Sequence, residues 1–360
     1  PHHVSLGGIQ AIKFTGGTTG RPKGVQQPYR AWNTNIVTQI FCYRLDADTR
    51  YLTSAPMTHG TSTYILPTLA VGGTLVLTDR PRADVVLRQI AERRITTLFV
   101  PPSMIYAMLE QAREQAPVCP SLRHLIYGAA PMRRDAIEEV LALFGPVLHS
   151  TYGQTEAPQI ATHIGPEDFA DPTLRDTVGR PTLLTSVAVR ADDGVITTAA
   201  GVTGEILIAG DLLMSGYWND PARTAEALRD GWLHTGDIGV FDERGYLTIK
   251  GRIKETIISG GFNVYPSDVE PTLGAHPAIK DAAVFGVPDL KWGEAVHAVV
   301  ALNAGHGATP EELMAYVRER LGPVKTPKAI RVWSDIPRNP FGKINRQQLL
   351  ARYLDEETAS

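Results

Sequence analysis

Short apolar blocks alternate with longer amphipathic stretches along the first 150 positions, and the two have different periods. Residues 11–14, 74–77, 97–100, 122–127 and 147–150 are brief apolar runs bounded by glycine, proline or polar residues, the pattern of buried strands. Residues 83–93 instead place Val86, Leu87 and Ile90 on one helical face, and residues 133–144 read as a helix that Gly145 and Pro146 end. Pro101 and Pro102 stop the block at 97–100. Alternation of this kind predicts βαβ units, a largely parallel sheet and an α/β fold. Ligands of such sheets bind beyond the carboxyl ends of the strands, which directs attention to the segments after Phe14, Tyr127 and Ser150.

The pattern changes in the middle of the chain. Residues 186–190, 204–208 and 246–250 are short and β-rich, with turn residues at 192–194 and 242–245, and predict a small antiparallel sheet or barrel. Beyond Arg252 the reading is a compact α+β segment. Ser267 with Glu270, and Thr309 with Glu312, each fit a capping box, and Pro310 suits the first helical position. Residues 282–287 and 296–302 read as strands. A boundary near 252–254 divides the chain into a large domain, residues 1–252, and a small C-terminal domain, residues 253–360.

Composition narrows the class. With 360 residues the chain is long enough for two domains, and 43% hydrophobic with 20% charged residues is the balance of a globular protein. A formal net charge of −3 gives neither a broad basic face for nucleic acid nor a basic helix for an anionic membrane. The two cysteines, Cys42 and Cys119, form no CxxC pair, so neither a disulfide framework nor a structural zinc site is expected, and a reducing cytoplasm is the default. No apolar run approaches the ~18 residues of a membrane helix. The chain begins at Pro1, without a signal pattern and with its glycine-rich loop close behind. An absent upstream segment is therefore expected.

That loop reads Thr15-Gly16-Gly17-Thr18-Thr19-Gly20-Arg21-Pro22-Lys23-Gly24 and follows a strand. Glycines let backbone N–H groups approach a polyphosphate, threonine hydroxyls add donors, and a lysine completes an anion-binding loop. It is not a Walker A loop, because no Gly-x4-Gly precedes Lys-Ser/Thr. Alone, such a run is also open to reading as a flexible surface turn.

With its companions it resembles the phosphate-binding loop of the acyl-CoA synthetase, adenylation-domain and firefly-luciferase superfamily. The companions stand in that family's order: Tyr127-Gly128-Ala129-Ala130-Pro131, Tyr152-Gly153-Gln154-Thr155-Glu156, His234-Thr235-Gly236-Asp237, Lys250-Gly251-Arg252, Ser259-Gly260-Gly261-Phe262-Asn263-Val264-Tyr265-Pro266 and Asn339-Pro340-Phe341-Gly342-Lys343. The resemblance covers essentially the whole chain and is greatest to fatty- or aryl-acid CoA ligases.

The resemblance implies ATP, Mg2+ and coenzyme A as cofactors and a small carboxylic acid as substrate. Thr15, Gly17, Thr18, Thr19, Gly20 and Lys23 would cradle the phosphates. Gly128, Ala129, Ala130 and Pro131 would face the adenine edge, with Tyr152 and Gly153 on the ring. Glu156 would ligate magnesium, for which one carboxylate beside phosphate oxygens suffices. Thr155 belongs with the catalytic segment. Asp237 would accept the ribose hydroxyls, and Arg252 would contact the same sugar. Lys254 matches the hinge of the mobile C-terminal domain. Gly260 and Gly261 match the loop that lines the pantetheine tunnel. His59 matches a position near the acyl pocket and has no metal partner at ligand spacing. Lys343 matches the lysine that bridges the attacking carboxylate and the α-phosphate. A cation where negative charge spreads stabilises the transition state, and losing one typically costs about 10²–10³ in rate.

The acid pocket would draw on His59, residues 61–66, Tyr127, Gly128 and residues 154–159. That mixed set leaves an aliphatic tunnel and an aromatic slot both open. Gly16 stands where many relatives carry serine, removing one hydroxyl donor. Three other readings stand beside the CoA ligase: an adenylation enzyme loading a carrier protein, an inactive truncated nucleotide-binding module, and, weakest, a luciferase-type oxygenase. The sequence gives no oligomeric state.

Overall fold

The computed structural model describes residues 4–15, 22–58, 60–79, 81–115, 119–338 and 344–358. Gly16, Gly17, Thr18, Thr19, Gly20, His59 and Lys343 lie outside the described residues. The chain falls into two compact units, Pro1–Thr235 with Gly239–Ile249, and Gly236–Ile238 with Lys250–Ser360.

The first unit opens on an antiparallel hairpin, β1 (Ile9–Thr15) and β2 (Lys23–Pro28), followed by helix α1 (Tyr29–Tyr43). A parallel core follows: β3 (Arg50–Thr53), a 3-10 turn at Gly60–Tyr64 running into α2 (Ile65–Ala70), β4 (Thr74–Leu77), α3 (Ala83–Glu92), β5 (Thr97–Val100), α4 (Pro102–Gln115), β6 (His124–Gly128), α5 (Arg134–Phe144) and β7 (Leu148–Tyr152). The antiparallel strand β8 (Thr162–Ile164), the one-turn helix α6 (Pro166–Phe169) and β9 (Arg180–Pro181) complete it. The sheet order is β4-β3-β5-β6-β7-β8-β9, parallel from β4 to β7 and antiparallel at β8 and β9.

Alternation gives this sheet two unlike faces. Leu52, Leu98, Val100, Leu125, Tyr127 and Leu148 pack on Val86, Leu87 and Ile90 of α3, Ile105, Met108 and Leu109 of α4, and Ile137 and Val140 of α5. The other set, Tyr51, Phe99 and Ile126, packs with Tyr43 of α1 and Tyr64 of the 3-10 turn.

Three sequence expectations are corrected here. The run at 11–14 is part of β1, yet it lies outside the parallel sheet. It is also not buried: Ile9, Ile12 and Phe14 are exposed, with Phe14 at 69%. The neighbouring Lys23 and Gly24 belong to β2 rather than to the loop, because the alternation in β2 turns Val25 and Gln27 inward. Tyr152 is the last residue of β7 rather than a residue beyond it.

A second sheet contains β10 (Ser186–Arg190), β11 (Ile196–Thr197), β12 (Thr203–Ala209), β14 (Leu228–Arg229), β15 (Trp232–Phe241) and β16 (Leu247–Arg252), in the order β11-β10-β12-β15-β14 with β16 on β15. Between β12 and β14 lie β13 (Gly216–Tyr217), which adds to β2, and α7 (Pro221–Ala227).

The second unit holds β17 (Ile257–Ser259), β18 (Phe262–Val264), α8 (Pro266–Gly274), β19 (Ile279–Asp289), β20 (Gly293–Leu302), α9 (Pro310–Lys325), β21 (Ala329–Trp333) and α10 (Arg346–Thr358). Its sheet runs β18-β17-β20-β19, with β21 parallel to β20. Thr309 and Glu312 form the expected capping box before α9. Ser267 and Glu270 do not: the Ser267 hydroxyl donates to the Lys250 carbonyl, and Glu270 accepts from the Val284 N–H and pairs with Arg346. Tertiary partners outcompete the local motif there. Cys42 and Cys119 are free thiols.

Candidate functional site

The β1–β2 register pairs Thr15 with Lys23 and Phe14 with Gly24, so the two ends of the glycine-rich segment are held side by side. Beyond β2 lies a third strand, β13, with Gly216 opposite Gln26 and Tyr217 opposite Val25. The Trp218 N–H donates to the Gly24 carbonyl at 2.7 Å, locking that edge. This small sheet fixes one lysine and one tyrosine: Lys23 Nζ lies 4.8 Å from the centroid of the Tyr217 ring.

Tyr217 in turn reaches the segment after β7. Its hydroxyl donates to Glu156 Oε1 at 2.7 Å, and the Met214 N–H donates to the Glu156 carbonyl at 2.8 Å. Gln27 Nε2 of β2 donates to the Thr155 carbonyl at 2.8 Å. Thr15, Lys23, Thr155 and Glu156, distant in sequence, therefore belong to one hydrogen-bonded assembly. Burial, then the charge of Glu156, push the Tyr217 hydroxyl well above its ordinary pKa, so it stays a donor. The sequence reading missed Tyr217; its signal was Gly216-Tyr217-Trp218 among polar turn residues. Glu156 spends one carboxylate oxygen on Tyr217 and keeps a hard oxygen for a cation. That donor set fits Mg2+, which takes one or two carboxylates and completes its shell from phosphate and water. Among the described residues no cluster of three or more His, Cys, Asp or Glu could hold a metal by itself.

The segments at the ends of β6 and β7 are backbone-tight. Ala129 has φ +69° and Gln159 has φ +69°, left-handed values that a non-glycine residue adopts only under constraint. Gln154 and Ala157 exchange backbone hydrogen bonds across the Gln154–Ala157 turn, and Gln154 Nε2 donates to the Thr235 carbonyl. Gly153 lies so close to Gln159 that a Cβ would sit 2.6 Å from its carbonyl carbon. Tyr152 is buried among Val25, Ala157, Ala161 and Tyr217. Gly128 is buried at the strand end, while Ala129, Ala130 and Pro131 are exposed. Several expected pocket residues are core instead: Tyr127 packs with Leu125 and Ile137, Tyr64 packs with Tyr51 and Phe99, and Ala157 is fully buried.

Elsewhere on the hairpin, Lys13 of β1 donates to Ser62 Oγ of the 3-10 turn and stands 5.1 Å from the Trp32 ring centroid. Burial lowers its pKa to about 8.

In the second unit, Arg252 Nε donates to Asp237 Oδ1 at 3.1 Å, and Asp237 is only 6% exposed. Asp237 stands inside β15. Lys254 is in the exposed 3-10 turn Ile253–Glu255. Gly260 and Gly261 make the β17–β18 turn with φ of +59° and +82°. A Cβ on Gly260 would meet the Trp292 ring at 2.9 Å, so this turn needs glycine for conformation and for space. On either side of the 339–343 segment, Arg338 bridges Ile344, and the Asn345 N–H donates to the Pro337 carbonyl. Arg346, also missed in the sequence reading, pairs with Glu255 at 3.0 Å and with Glu270 at 3.1 Å. Burial raises the Glu270 pKa, and Arg346 opposes that shift.

Comparison with known proteins adds the following. Residues 5–218 match the family model described as AMP-binding enzyme, and residues 268–343 match AMP-binding enzyme C-terminal domain. A medium/long-chain-fatty-acid–CoA ligase of Mycobacterium tuberculosis is 37% identical over 96% of this chain and 62% of its own length. A feruloyl-CoA synthase of an Amycolatopsis species is 35% identical over 97% of this chain and 71% of its own. The chain thus spans under two thirds of the first relative and about seven tenths of the second. Among solved structures, an amide bond synthetase from Marinactinospora thermotolerans superposes with TM-score 0.89 at 35% identity, covering 96% of this chain and 70% of its own. The o-succinylbenzoate CoA synthetase of Bacillus subtilis, bound to its acyl-adenylate intermediate, superposes with TM-score 0.88 at 30% identity, covering 96% and 69%.

Proposed function

The chain belongs to the AMP-binding enzymes, and on that premise we propose that it carries the nucleotide- and acid-binding machinery of an ATP-dependent acid–CoA ligase. The observation that carries this reading is the assembly of Thr15, Lys23, Tyr217, Thr155 and Glu156. It supplies a cation, a hydroxyl and a carboxylate where a polyphosphate would need them.

In this reading a carboxylate oxygen of the acid attacks the α-phosphorus of ATP, and the bond to the departing pyrophosphate breaks. The acyl-adenylate that results then loses AMP when the thiol of coenzyme A attacks its carbonyl carbon and gives up its proton. Residues 15–20 with Lys23 hold the phosphates. Gly128, Ala129, Ala130, Pro131, Tyr152 and Gly153 receive the adenine, and Asp237 and Arg252 the ribose. Tyr217 orients Glu156, whose free oxygen would hold Mg2+; the ion's contribution when bound is to neutralise phosphate charge. Lys343 bridges carboxylate and α-phosphate. Residues 253–360 act as a mobile domain about Lys254, and Gly260 and Gly261 admit the thiol arm. His59 stands near the acid.

Two acceptors other than coenzyme A remain as defined alternatives: a carrier protein's phosphopantetheine arm, and an amine, the latter because the amide bond synthetase superposes as well as the CoA ligases do. Lys343→Ala separates the half-reactions. We expect loss of acid-dependent pyrophosphate release, with thioester formation from supplied acyl-adenylate retained; equal loss in both would contradict the role given to Lys343. Thioester or amide yield with coenzyme A, a carrier protein and simple amines in parallel identifies the acceptor.

A further inference from the structure

The second sheet carries a pocket on the face that its alternation turns away from the core. Val189 of β10, Ile206 of β12 and Leu233 of β15 point inward and are at most 1% exposed. Their neighbours Arg190, Glu205, Trp232 and His234 therefore share the outer face. Register sets Arg190 opposite Glu205 and Arg229 opposite Trp232. Asp230 and Gly231 close the β14–β15 hairpin with φ of +52° and +81°, the left-handed pair of a two-residue turn. Arg190, Gly194, Arg229, Asp230, Trp232 and His234 line a pocket of about 240 Å3 on this face.

At its base a carboxylate holds a histidine. His234 Nδ1 donates to Glu205 Oε2 at 2.8 Å, and the two side chains are only 10% and 14% exposed. That bond fixes the ring and leaves Nε2 as the nitrogen a ligand can reach. The arginines stand at the rim. A Cβ on Gly194 would meet Arg190 Nη2 at 3.6 Å, so the Arg190 guanidinium folds back over the β10–β11 turn. Among the described residues neither Arg190 nor Arg229 has a carboxylate partner, whereas Arg223 nearby in sequence pairs with Asp220. Asp230 is the acidic residue of the lining, and two guanidinium charges outweigh it.

We infer that this pocket binds a small phosphate monoester, with the phosphate between Arg190, Arg229 and His234 and an attached ring on Trp232. A phosphate monoester has three terminal oxygens, one for each guanidinium fork and one to share a proton with His234 Nε2. A carboxylate offers two oxygens and leaves one of these groups unmet. The pocket is smaller than the roughly 300–1,000 Å3 that enclose drug-sized ligands, which suits a phosphate bearing a single ring. The indole face of Trp232 takes that ring by offset stacking. The inference does not rest on the ligase reading, and the pocket shares no residue with the Lys23, Tyr217 and Glu156 assembly.

The test is calorimetric titration of the purified protein with phenyl phosphate and with inorganic phosphate, in the absence of ATP. Phenyl phosphate is expected to bind more tightly than inorganic phosphate by about tenfold, the contribution of ring stacking. Trp232→Ala should bring the two affinities together. Arg190→Ala combined with Arg229→Ala, at exposed positions where folding is not at stake, should weaken both probes by at least about tenfold. Lys23→Ala should leave both unchanged, because a probe held by the hairpin lysine would lose affinity there instead. No binding of either probe at millimolar concentration would overturn the inference. So would affinities that the double arginine variant spares, or that Lys23→Ala removes.

Discussion

The two faces of the parallel sheet differ in what they are made of, although neighbouring residues on the same strands build them. Leu98 points into aliphatic packing under α3, α4 and α5, while Phe99, one residue on, points into rings and amides under α1. Leu148 and His149 divide in the same way. The first face is closed by shape alone. The second carries Gln39 of α1, whose Nε2 donates to Asn35 Oδ1, and Asn35, whose Nδ2 donates to the Pro158 carbonyl, together with Thr151, Gln159 and three histidines. Burying polar groups is costly unless each finds a partner. A face built this way holds positions through directed bonds, and the aliphatic face holds the fold through shape.

The histidines make the contrast sharpest. His124 of β6, His149 of β7 and His163 of β8 form a ladder across three adjacent strands. His124 Nδ1 lies 2.9 Å from His149 Nε2, and His149 Nδ1 lies 3.0 Å from His163 Nε2. The Tyr43 ring meets the last two edge-on at 5.2 and 5.4 Å. Each N–H···N bond needs one protonated and one bare nitrogen, and three neutral imidazoles supply both. Burial, then Arg123, lower His124 to about 4, with Asp46 opposing. Burial lowers His163 to about 4, with Asp168 opposing. His149 is held well below its ordinary value, by burial first and then by its two histidine neighbours.

The largest effect expected from testing this comparison lies on the aliphatic face. Leu98→Ala should cost about 2–5 kcal/mol of stability, the range for a fully buried leucine, and leave turnover per folded molecule unchanged. Denaturant unfolding with active-site-normalised kinetics reads both. A change in acid preference would break the division of labour between the faces.

Next comes pH. The ladder's stability is fully present above the unfolded histidine pKa of about 6.5. It is lost as pH falls from there toward about 4, because the unfolded chain takes up protons that the folded ladder refuses. A loss on the order of a few kcal/mol across that window is expected in pH-dependent unfolding. His149→Phe should flatten the slope, and an unchanged slope would contradict the neutral ladder.

The smallest expected effect lies off the sheet. Tyr217→Phe removes one hydrogen bond to a carboxylate and should raise the KM for ATP on the order of tenfold, with the acid profile unmoved. A shift in acid preference would show that the Tyr217–Glu156 assembly does more than hold the nucleotide in the reading proposed above.

The aliphatic face was legible in the sequence and the second face was not. Val86, Leu87 and Ile90 announce a helix stripe, and all three are buried. Thr309, Pro310 and Glu312 announce a helix start because that motif is complete within one turn of chain. The histidines are single polar residues in three strands, and only register brings them together. Phe99 and Tyr64 look like any buried aromatic until their stacking is seen. The hairpin was hidden because glycines around residues 16–24 mask the alternation that begins at Lys23. Ser267 and Glu270 misled because their partners, Lys250, Val284 and Arg346, are remote in sequence. The ordered motifs made the family legible; the partners of Glu156 and Asp237 needed coordinates.

The most direct test of the central claim is ATP–pyrophosphate exchange by the purified protein across aryl, short-chain and long-chain acids, with Glu156→Gln alongside. Exchange that depends on both acid and Mg2+, and that falls by about 10² or more in Glu156→Gln, is the result expected of an acid-adenylating site. ATP binding in a calorimeter without exchange for any acid would contradict it, and would leave a nucleotide-binding module in place of a ligase.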